Sequence, residues 1–444
     1  MKRRLVCSLL VGAALSLPAL AQRTTTQLEQ GWRFSREDKP GTAAANFDDR
    51  KWSQVTVPHD WAIYGPFSFE NDKQHLAITQ DGQKEAMEHA GRTGGLPFVG
   101  VGWYRRELEI PRDLGQRRVR LTFDGAMSHA RVYVNGQEVG YWPYGYNSFY
   151  FDITDYVRPG QRNVLAVRLD NKHESSRWYP GAGLYRNVHL TITEPIHFST
   201  WGTQILTPQV SKDYARVEVR TRLSGLGTLR SGKLDLEAEL LSPEGKVVAR
   251  EQRAGYFGPE SVDSVFRVGF DLKAPRLWDI GQPQLYKYVV SVRHEGKLLD
   301  RDTVPFGVRS IELKAGEGFF LNGRKIKFQG ACLHHDLGPL GAAVNEAAMR
   351  RQIRIMQDMG VNAIRTSHNM PAPEFVRLCD EMGMPVMAES FDAWAAPKVP
   401  NGYNLEFVEW HERDLQNLIR QFRNSPSVIM WSIGNEVPEQ PSYE

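Results

Sequence analysis

Apolar and polar residues alternate in short runs along the first part of the chain, and Gly, Pro and Asn interrupt these runs. Residues 132–139 alternate around Asn135 and Gly136, a pair that supplies the positive φ angles of a tight hairpin turn. Residues 164–169 alternate in the same way. Strands at this spacing, with no helical period between them, predict a jelly-roll β-sandwich over residues 25–197.

A second segment with the same period of two extends over residues 198–312. Residues 234–240 and 288–292 alternate without a break. A stretch of strands and turns of this length fits an immunoglobulin-like β-sandwich, and it contains no cysteine pair that could join its sheets. Within the first segment, the polar and Gly-rich residues 70–97 predict a long inserted loop.

After residue 323 the pattern becomes one of alternating strands and helices. The predicted order is strand 325–330, helix 345–359, strand 361–365, helix 373–382, strand 385–389, helix 406–423 and strand 428–431. This order predicts a parallel sheet with right-handed crossovers. Polar residues follow each strand, as at the active-site edge of a (β/α)8 barrel, whereas a Rossmann fold would need a Gly-rich phosphate loop. Residues 313–444 are therefore predicted to form the N-terminal half of a TIM barrel.

The charge distribution excludes two classes of partner. The chain has 444 residues, of which 41% are hydrophobic and 24% charged, as in soluble globular proteins. The formal charge of +3 comes from Lys2, Arg3 and Arg4, because the first 21 residues contain no acidic residue. The rest of the chain is neutral and has no overall field that would attract nucleic acid or an anionic membrane. Neither is expected as a partner.

The amino terminus has the pattern of an export signal. A basic start precedes the apolar run 5–17, and residues 19–21 (Ala-Leu-Ala) give a small-x-small cleavage pattern. The run is shorter than the roughly 20 residues that a membrane-spanning helix needs. Residues 1–21 are therefore predicted to be a signal peptide for export to a periplasm or outside the cell. Cys332 and Cys379 lie in apolar surroundings and are expected to be buried free thiols.

One pair of polar residues has a position that suits acid–base chemistry. Asn435 and Glu436 follow the apolar strand 428–431, which ends in Trp431. Apolar surroundings would favour the neutral form of the Glu436 carboxyl, which a general acid needs to protonate a leaving-group oxygen. Asn435 is suited to hydrogen-bond a substrate hydroxyl. From the spacing alone, a structural role for Glu436 as the cap of the following turn is an equal alternative.

Five segments together resemble glycoside hydrolase family 2, which includes β-galactosidases, β-glucuronidases and β-mannosidases. They are distributed over nearly the whole chain after the signal peptide: 57–61 (VPHDW), 178–188 (WYPGAGLYRNV), 306–312 (FGVRSIE), 362–371 (NAIRTSHNMP) and 431–436 (WSIGNE). The last two together are highly specific, although the family usually has His-Tyr-Pro where this chain has His-Asn-Met-Pro. The resemblance implies a retaining β-glycosidase in which Glu436 acts first as general acid and then as general base.

The resemblance also implies a second carboxylate, the nucleophile, on a later barrel strand. The chain ends at Glu444, eight positions after Glu436. It is therefore expected to be a fragment or an early-terminated product, without hydrolytic activity of its own. Glu389 also ends a predicted strand. It is expected to orient its neighbours, because the family places the nucleophile later in the barrel.

Further substrate-binding residues are implied by the resemblance. His334, His335 and Asp336 match the polar cluster of the family after the first barrel strand, which contacts the sugar. A zinc site is the alternative, but no third, distant ligand has convincing spacing. His368 matches a histidine of the subsite for the terminal sugar, and a solvated loop histidine is the alternative.

Further residues are candidates for the site because of the chemistry of their side chains. Arg365 lies inside a strand and is expected to pair with Glu389, because a buried guanidinium needs a partner. Trp394 could form a stacking wall for the sugar or pack within its loop. Arg177, beside a tryptophan, is a candidate for reaching the barrel mouth, since sugars bind through polar contacts together with an aromatic face. For residues 59–61, packing between domains is favoured over such a contact.

The predicted substrate is a glycoside with terminal β-D-galactosyl residues, because Gly434 and residues 334–341 resemble β-galactosidases more than β-glucuronidases. A β-glucuronidase, a β-mannosidase and a non-catalytic carbohydrate-binding protein are the alternatives. No cofactor is expected. No metal is expected either, because Ala393 and Ala395 stand where some relatives have the Glu-x-His that holds Mg²⁺. The sequence is compatible with a homo-oligomer.

Overall fold

The computed structural model describes residues 23–77, 86–89, 93–228, 232–257, 265–437 and 439. The signal peptide predicted over residues 1–21 lies outside the described residues. Two β-sandwiches and part of a parallel α/β barrel follow one another along the chain, in the predicted order. None of the described helices is long and apolar enough to cross a membrane.

The first sandwich encloses an apolar core between two antiparallel sheets. The strands of this part of the chain are β1 (Thr24–Gln27), β2 (Trp32–Ser35), β3 (Ser53–Val55), β4 (Gln74–Ala77), β5 (Ala86–His89), β6 (Gly100–Leu108), β7 (Arg118–Phe123), β8 (Ala130–Val134), β9 (Gln137–Trp142), β10 (Phe149–Asp152), β11 (Asn163–Asn171) and β12 (Val188–Thr193), of which β4 and β5 form a separate sheet. One sheet has the order β1-β12-β7-β10 and the other β3-β2-β6-β11-β8-β9. The predicted hairpin joins β8 to β9 through Asn135 and Gly136, whose φ angles are 54° and 86°.

The loop predicted over residues 70–97 is only partly correct, because β4 and β5 pair antiparallel within it. Residues 78–85 and 90–92 of this stretch lie outside the described residues. Strands of four residues contain too few positions to show a clear alternation, so the sequence pattern does not indicate them. Short 3₁₀ helices in the described ranges lie at Trp61–Tyr64, Thr154–Tyr156, Leu226–Thr228 and Gly338–Leu340.

The second sandwich has its core between a three-stranded and a four-stranded sheet. Its strands are β13 (His197–Val210), β14 (Tyr214–Ser224), β15 (Gly232–Leu241), β16 (Val247–Phe257), β17 (Val265–Lys273), β18 (Tyr286–His294) and β19 (Lys297–Phe306). The sheet orders are β13-β14-β17 and β16-β15-β18-β19. The predicted alternation places Leu234, Leu236 and Ala238 in the core, because successive side chains of a strand point to opposite faces.

A small antiparallel sheet leads into the parallel barrel segment. Its strands are β20 (Ile311–Lys314), β21 (Gly318–Leu321) and β22 (Arg324–Ile326), and the barrel segment contains β23 (Gly330–Leu333), α1 (Glu346–Asp358), β24 (Ala363–Thr366), α2 (Pro373–Met382), β25 (Val386–Glu389), α3 (Asn404–Phe422) and β26 (Val428–Ser432). The single strand predicted over 325–330 is wrong, because two different sheets share this stretch. Asn362 accepts a hydrogen bond from Gln329 N at 2.7 Å and donates to Lys327 O at 3.0 Å, so these backbone groups are satisfied without a β-ladder.

The jelly roll contacts the barrel segment through buried polar groups. Asp60 accepts a hydrogen bond from Ala342 N at 2.9 Å and one from the Tyr179 hydroxyl, whose oxygen lies 2.7 and 2.6 Å from Oδ1 and Oδ2. Of residues 59–61, Asp60 makes the predicted interdomain contact, whereas His59 and Trp61 contact Tyr104 and Phe34 within the jelly roll. Since Tyr179 follows Arg177 by two positions, the same contact anchors the loop that carries Arg177 beside the barrel.

Candidate active site

Two glutamates lie at the ends of neighbouring strands in the parallel sheet. Glu389 is the last residue of β25, where it pairs in register with Ser432, the last residue of β26. Glu436 follows four positions later. Because parallel strands end at the same edge of a sheet, both glutamates lie at the edge where active sites of α/β barrels are found. The side chains there form an inner cluster around Glu389 and an outer cluster around Glu436.

The inner cluster consists of Glu389, Arg365, His368 and Ser432. Glu389 is fully buried, and Arg365 binds both of its oxygens, with Nε 2.6 Å from Oε2 and Nη2 2.8 Å from Oε1. His368 Nδ1 lies 2.9 Å from Oε1, and Ser432 Oγ donates to Oε2 at 2.7 Å. The predicted pairing of Arg365 with Glu389 is confirmed. A carboxylate surrounded by so many donors holds its neighbours in a fixed orientation.

The outer cluster consists of Asp392, Arg177, Lys398 and Glu436, and it joins the jelly roll to two barrel loops. Arg177 Nε and Nη2 donate to Asp392 at 3.0 and 2.5 Å, and Lys398 Nζ donates to it at 3.2 Å. Arg177 Nη2 and Lys398 Nζ lie 3.3 and 3.8 Å from Glu436 Oε2. Burial raises the pKa of Asp392, but hydrogen bonds from Arg177 and Asn435 and the two cations lower it more, so it lies below its ordinary value.

Asn435 connects the two clusters. Its Oδ1 accepts a hydrogen bond from Arg365 Nη2 at 3.1 Å, and its Nδ2 donates to Asp392 Oδ1 at 2.9 Å. Its backbone oxygen accepts from Lys398 Nζ at 2.6 Å. The side chain is buried, and Nδ2 is also 3.4 Å from Glu436 Oε2. The amide is therefore fixed at both ends, directly beside the candidate acid.

Lys398, Asp392 and Ser432 belong to the two clusters but are not among the residues predicted from the sequence. Lys398 lies in an Ala- and Pro-containing loop and belongs to no recognisable motif. Its side chain is 12% exposed, and its ammonium group contacts three oxygen-bearing residues of the site. Asp392 is the feature of the sequence that could have indicated Lys398. A carboxylate that is buried after a strand requires a cation nearby, and Lys398 is the first lysine after Asp392.

The apolar surroundings predicted for Glu436 are wrong. Its side chain is 70% exposed, and Trp431, expected as an apolar wall, is itself 43% exposed. In the part of the chain that the structure describes, β26 has one neighbouring strand, β25, so its side chains are covered from one side. The groups nearest to the Glu436 carboxylate are instead the cations of the outer cluster.

His334 lies beside the inner cluster. Its ring centroid is 5.3 Å from that of His368 and 5.0 Å from that of Trp178. Burial and the nearby His368 lower its pKa. Trp178 in turn donates from Nε1 to the Tyr146 hydroxyl at 3.0 Å. An aromatic face from the jelly roll therefore lies next to two histidines at the strand ends, an arrangement that suits a sugar ring.

His335 and Asp336 are not brought to either cluster. His335 faces the jelly roll, where Nε2 lies 3.0 Å from Pro180 O, and burial lowers its pKa to about 3. The Asp336 carboxylate lies 3.4 Å from Gly338 N and closes a local turn. Within the described ranges, no group of three or more His, Cys, Asp or Glu side chains is arranged to hold a metal ion.

Two further predictions concern the role of Trp394 and the burial of the two cysteines. Trp394 stacks on Phe407 at 5.4 Å between centroids and donates from Nε1 to Ile433 O at 3.1 Å, which favours packing within its loop over a sugar-binding wall. Cys379 is a buried free thiol as expected, but Cys332 is exposed. The expectation for Cys332 is wrong because β23 is an edge strand of the described sheet, so one of its sides is uncovered.

Comparison with family models covers most of the chain. The model described as "Glycosyl hydrolases family 2, sugar binding domain" matches residues 25–195, "Glycosyl hydrolases family 2" matches 203–309, and "Glycosyl hydrolases family 2, TIM barrel domain" matches 311–443. The chain belongs to glycoside hydrolase family 2. The resemblance found in the sequence is confirmed, and so is the fold class of two β-sandwiches followed by part of a TIM barrel.

Other members of family 2 are similar along almost the whole chain. Beta-galactosidase BoGH2A from Bacteroides ovatus is 42% identical over 97% of this chain and 48% of its own length. A putative beta-glucuronidase from Formosa agariphila is 35% identical over 97% of this chain and 39% of its own length. A solved family 2 structure from Bacteroides cellulosilyticus has a TM-score of 0.85 at 35% identity, over 93% of this chain and 52% of that one. The chain spans less than half the length of these two curated relatives.

Proposed function

We propose that the whole protein is a retaining exo-β-glycosidase that removes terminal β-D-galactosyl residues. The observation that supports this most is that Asn435 and Glu436 lie at the carboxyl end of β26, beside the buried Glu389 at the end of β25. Glu436 would protonate the glycosidic oxygen as its bond to the sugar breaks, and would then take a proton from the attacking water. Its exposure leaves the carboxyl accessible to both.

The double displacement also needs a carboxylate nucleophile about 5 Å from the acid. Among the described residues, Asp392 and Glu389 are the carboxylates next to this position. Arg177 holds both oxygens of Asp392, and Arg365 holds both oxygens of Glu389. Because these contacts engage lone pairs on both oxygens of each carboxylate and fix its orientation, we assign the nucleophile to neither of them. We place it in a part of the protein outside the described residues.

The choice of galactose is supported by similarity, and one competing sugar has a specific observation in its favour. The relative from Bacteroides ovatus, at 42% identity, is named a beta-galactosidase. Relatives at 35% and 31% identity are named putative beta-glucuronidase and beta-glucuronidase. A β-glucuronide carries a carboxylate, and Arg177 and Lys398 place two cations beside Glu436. A β-glucuronidase is therefore the second candidate.

The test compares the product of the complete reading frame on 4-nitrophenyl β-D-galactoside, β-D-glucuronide and β-D-mannoside. The proposal expects the largest kcat/KM on the galactoside and a lower kcat in Glu436→Gln, which lacks the general base of the second step. A larger kcat/KM on the glucuronide or the mannoside would contradict the assignment of galactose but would still support a retaining β-glycosidase. Absence of hydrolysis on all three, with sugar binding intact, would favour the non-catalytic carbohydrate-binding alternative. The 444-residue chain, assayed beside it, is expected to be inactive.

We also propose that the protein is exported. The proposal rests on the basic start, apolar run and cleavage pattern within residues 1–21. Expression in a bacterial host should yield a periplasmic or secreted product whose amino-terminal residue is Gln22. A cytoplasmic product that retains Met1 would contradict the proposal.

A further inference from the structure

A groove with an unusual concentration of arginines lies where the jelly roll, the second sandwich and α3 meet. It has a volume of about 630 Å³. We call it the arginine groove, and define it by seven of its lining residues: Arg220, Arg222, Arg267, Arg420, Arg423, Tyr150 and Trp201. The register of β13 against β14 breaks between Phe198 and Thr203, and the bulged residues, which include Trp201, form part of its lining.

Four of the five arginines that line the groove have no counter-charge among the described residues. Arg220, Arg222, Arg420 and Arg423 form no ion pair with a described carboxylate within 4.0 Å, although Arg216 on the same strand β14 pairs with Asp271 at 3.1 Å. Arg423 donates to the backbone oxygens of Trp201 and Thr203, which carry no net charge. Burial lowers the pKa of Arg423, and the charges of Arg420 and Arg222 lower it further. Like charges held together in this way favour an anion between them.

The arginine groove is remote from the candidate active site. The helix α3 has 19 residues and is therefore about 28 Å long. It begins just after the loop that carries Lys398, whereas Arg420 and Arg423 lie at its other end. In an α/β barrel segment the helices run antiparallel to the strands, so this end faces away from the carboxyl ends of the strands.

We propose that the arginine groove binds the sulfate or carboxylate groups of an acidic polysaccharide. Guanidinium groups match the planar, bidentate geometry of such anions. The Tyr150 ring is 39% exposed, with the Arg120 guanidinium over the ring at 5.7 Å and Trp201 edge-on at 5.6 Å, so part of an aromatic surface is left for a sugar ring. A nucleic-acid site would need a basic stripe along the protein, whereas these arginines are confined to one groove. The proposal is independent of the hydrolytic reaction, because it concerns a different face of the molecule.

The test measures binding of the purified chain to a sulfated galactan, polygalacturonate, a neutral galactan and a short DNA duplex, each at several salt concentrations. The groove variant is Arg222→Ser combined with Arg420→Ser, since both side chains are exposed. The matched control is Arg351→Ser combined with Arg354→Ser, which removes the same charge from two exposed arginines of α1. Thermal unfolding of both variants checks that the fold is intact.

The expected result is binding to at least one acidic polysaccharide but not to the neutral galactan. The groove variant should weaken this binding by at least about tenfold and reduce its salt dependence, because two charge-assisted contacts are lost. The control should stay within about twofold of the original chain. Equal losses in both variants, no binding to either acidic polysaccharide, or tighter groove-dependent binding of DNA would each overturn the proposal. Hydrolysis is not used as a readout, so failure of the proposed enzyme function leaves this result interpretable.

Discussion

The inner and outer clusters of the candidate site differ in how they are built, although they lie next to each other. The inner cluster is formed within the barrel segment, and its carboxylate, Glu389, is fully buried. The outer cluster requires Arg177 from the jelly roll, 215 positions before Asp392, and its Glu436 side chain is 70% exposed. Asn435 belongs to both, because it bonds Arg365 on one side and Asp392 on the other.

This difference indicates that the inner cluster stabilises the fold and that the outer cluster presents a carboxylate to a substrate. A buried carboxylate with its donors in place stabilises the strand ends and sets the geometry, but has no exposed surface for a substrate. An exposed carboxylate beside cations contributes little to stability and is accessible to a substrate. The predictions below test this division, since mutations in the inner cluster should affect stability and mutations of Glu436 should affect activity.

The largest effect is expected from Glu436→Gln in the complete protein. Loss of the general acid should lower kcat/KM by about 1000-fold on a glycoside with a poor leaving group. On a dinitrophenyl glycoside, whose leaving group needs no proton, the loss should be about tenfold or less. The unfolding free energy should change by less than about 0.5 kcal/mol. Glu412→Gln, an exposed glutamate of α3, is the control. Equal losses on both leaving groups would remove Glu436 from the acid role.

The second prediction is that Glu389→Ala destabilises the fold by about 3 kcal/mol, the lower end of the range for breaking a buried ion pair. It leaves the Arg365 guanidinium without a counter-ion, but that side chain is 28% exposed, so water replaces part of the interaction. Urea unfolding measures the change. Glu389→Gln should lose less, because the amide keeps the shape and one acceptor. A cost below about 1 kcal/mol would show that the inner cluster does not stabilise the strand ends.

Prediction from the sequence is most accurate where a short-range period determines the structure. The bounds predicted for α2, 373–382, agree with the structure, and the Arg365–Glu389 pair follows from neighbouring strands in register. It fails where a contact depends on the path of a loop. The residues around Lys398 show no sequence pattern that indicates a structure. Lys398 contacts the site because its loop returns to Asn435. The surroundings of Glu436 also depend on which strands cover β26, and this is not encoded in the six-residue motif.

A third prediction concerns the pH dependence of the outer cluster. The pKa of Asp392 in the folded protein lies below its unfolded value of about 3.9, so its ionised form stabilises the fold fully above that pH. This contribution is lost as pH falls through the folded-state pKa. Asp392→Asn should therefore cost about 2 kcal/mol at pH 7, and the difference from the original protein should shrink below about pH 4. Asp213→Asn, at an exposed position, is the control. A difference that is constant with pH would contradict the ion-pair explanation.

The smallest effect is expected from Lys398→Met, which tests how the outer cluster acts on the candidate acid. Lys398 donates to the Asn435 backbone oxygen at 2.6 Å, so its removal should loosen the turn that presents Glu436. We expect kcat to fall by about tenfold on the galactoside, with KM within about twofold, because the lysine positions the acid and does not touch a neutral sugar. Lys212→Met, at an exposed position, should change neither. A selective rise of KM on the glucuronide would show instead that Lys398 binds a substrate carboxylate, and would move the sugar assignment to a β-glucuronidase.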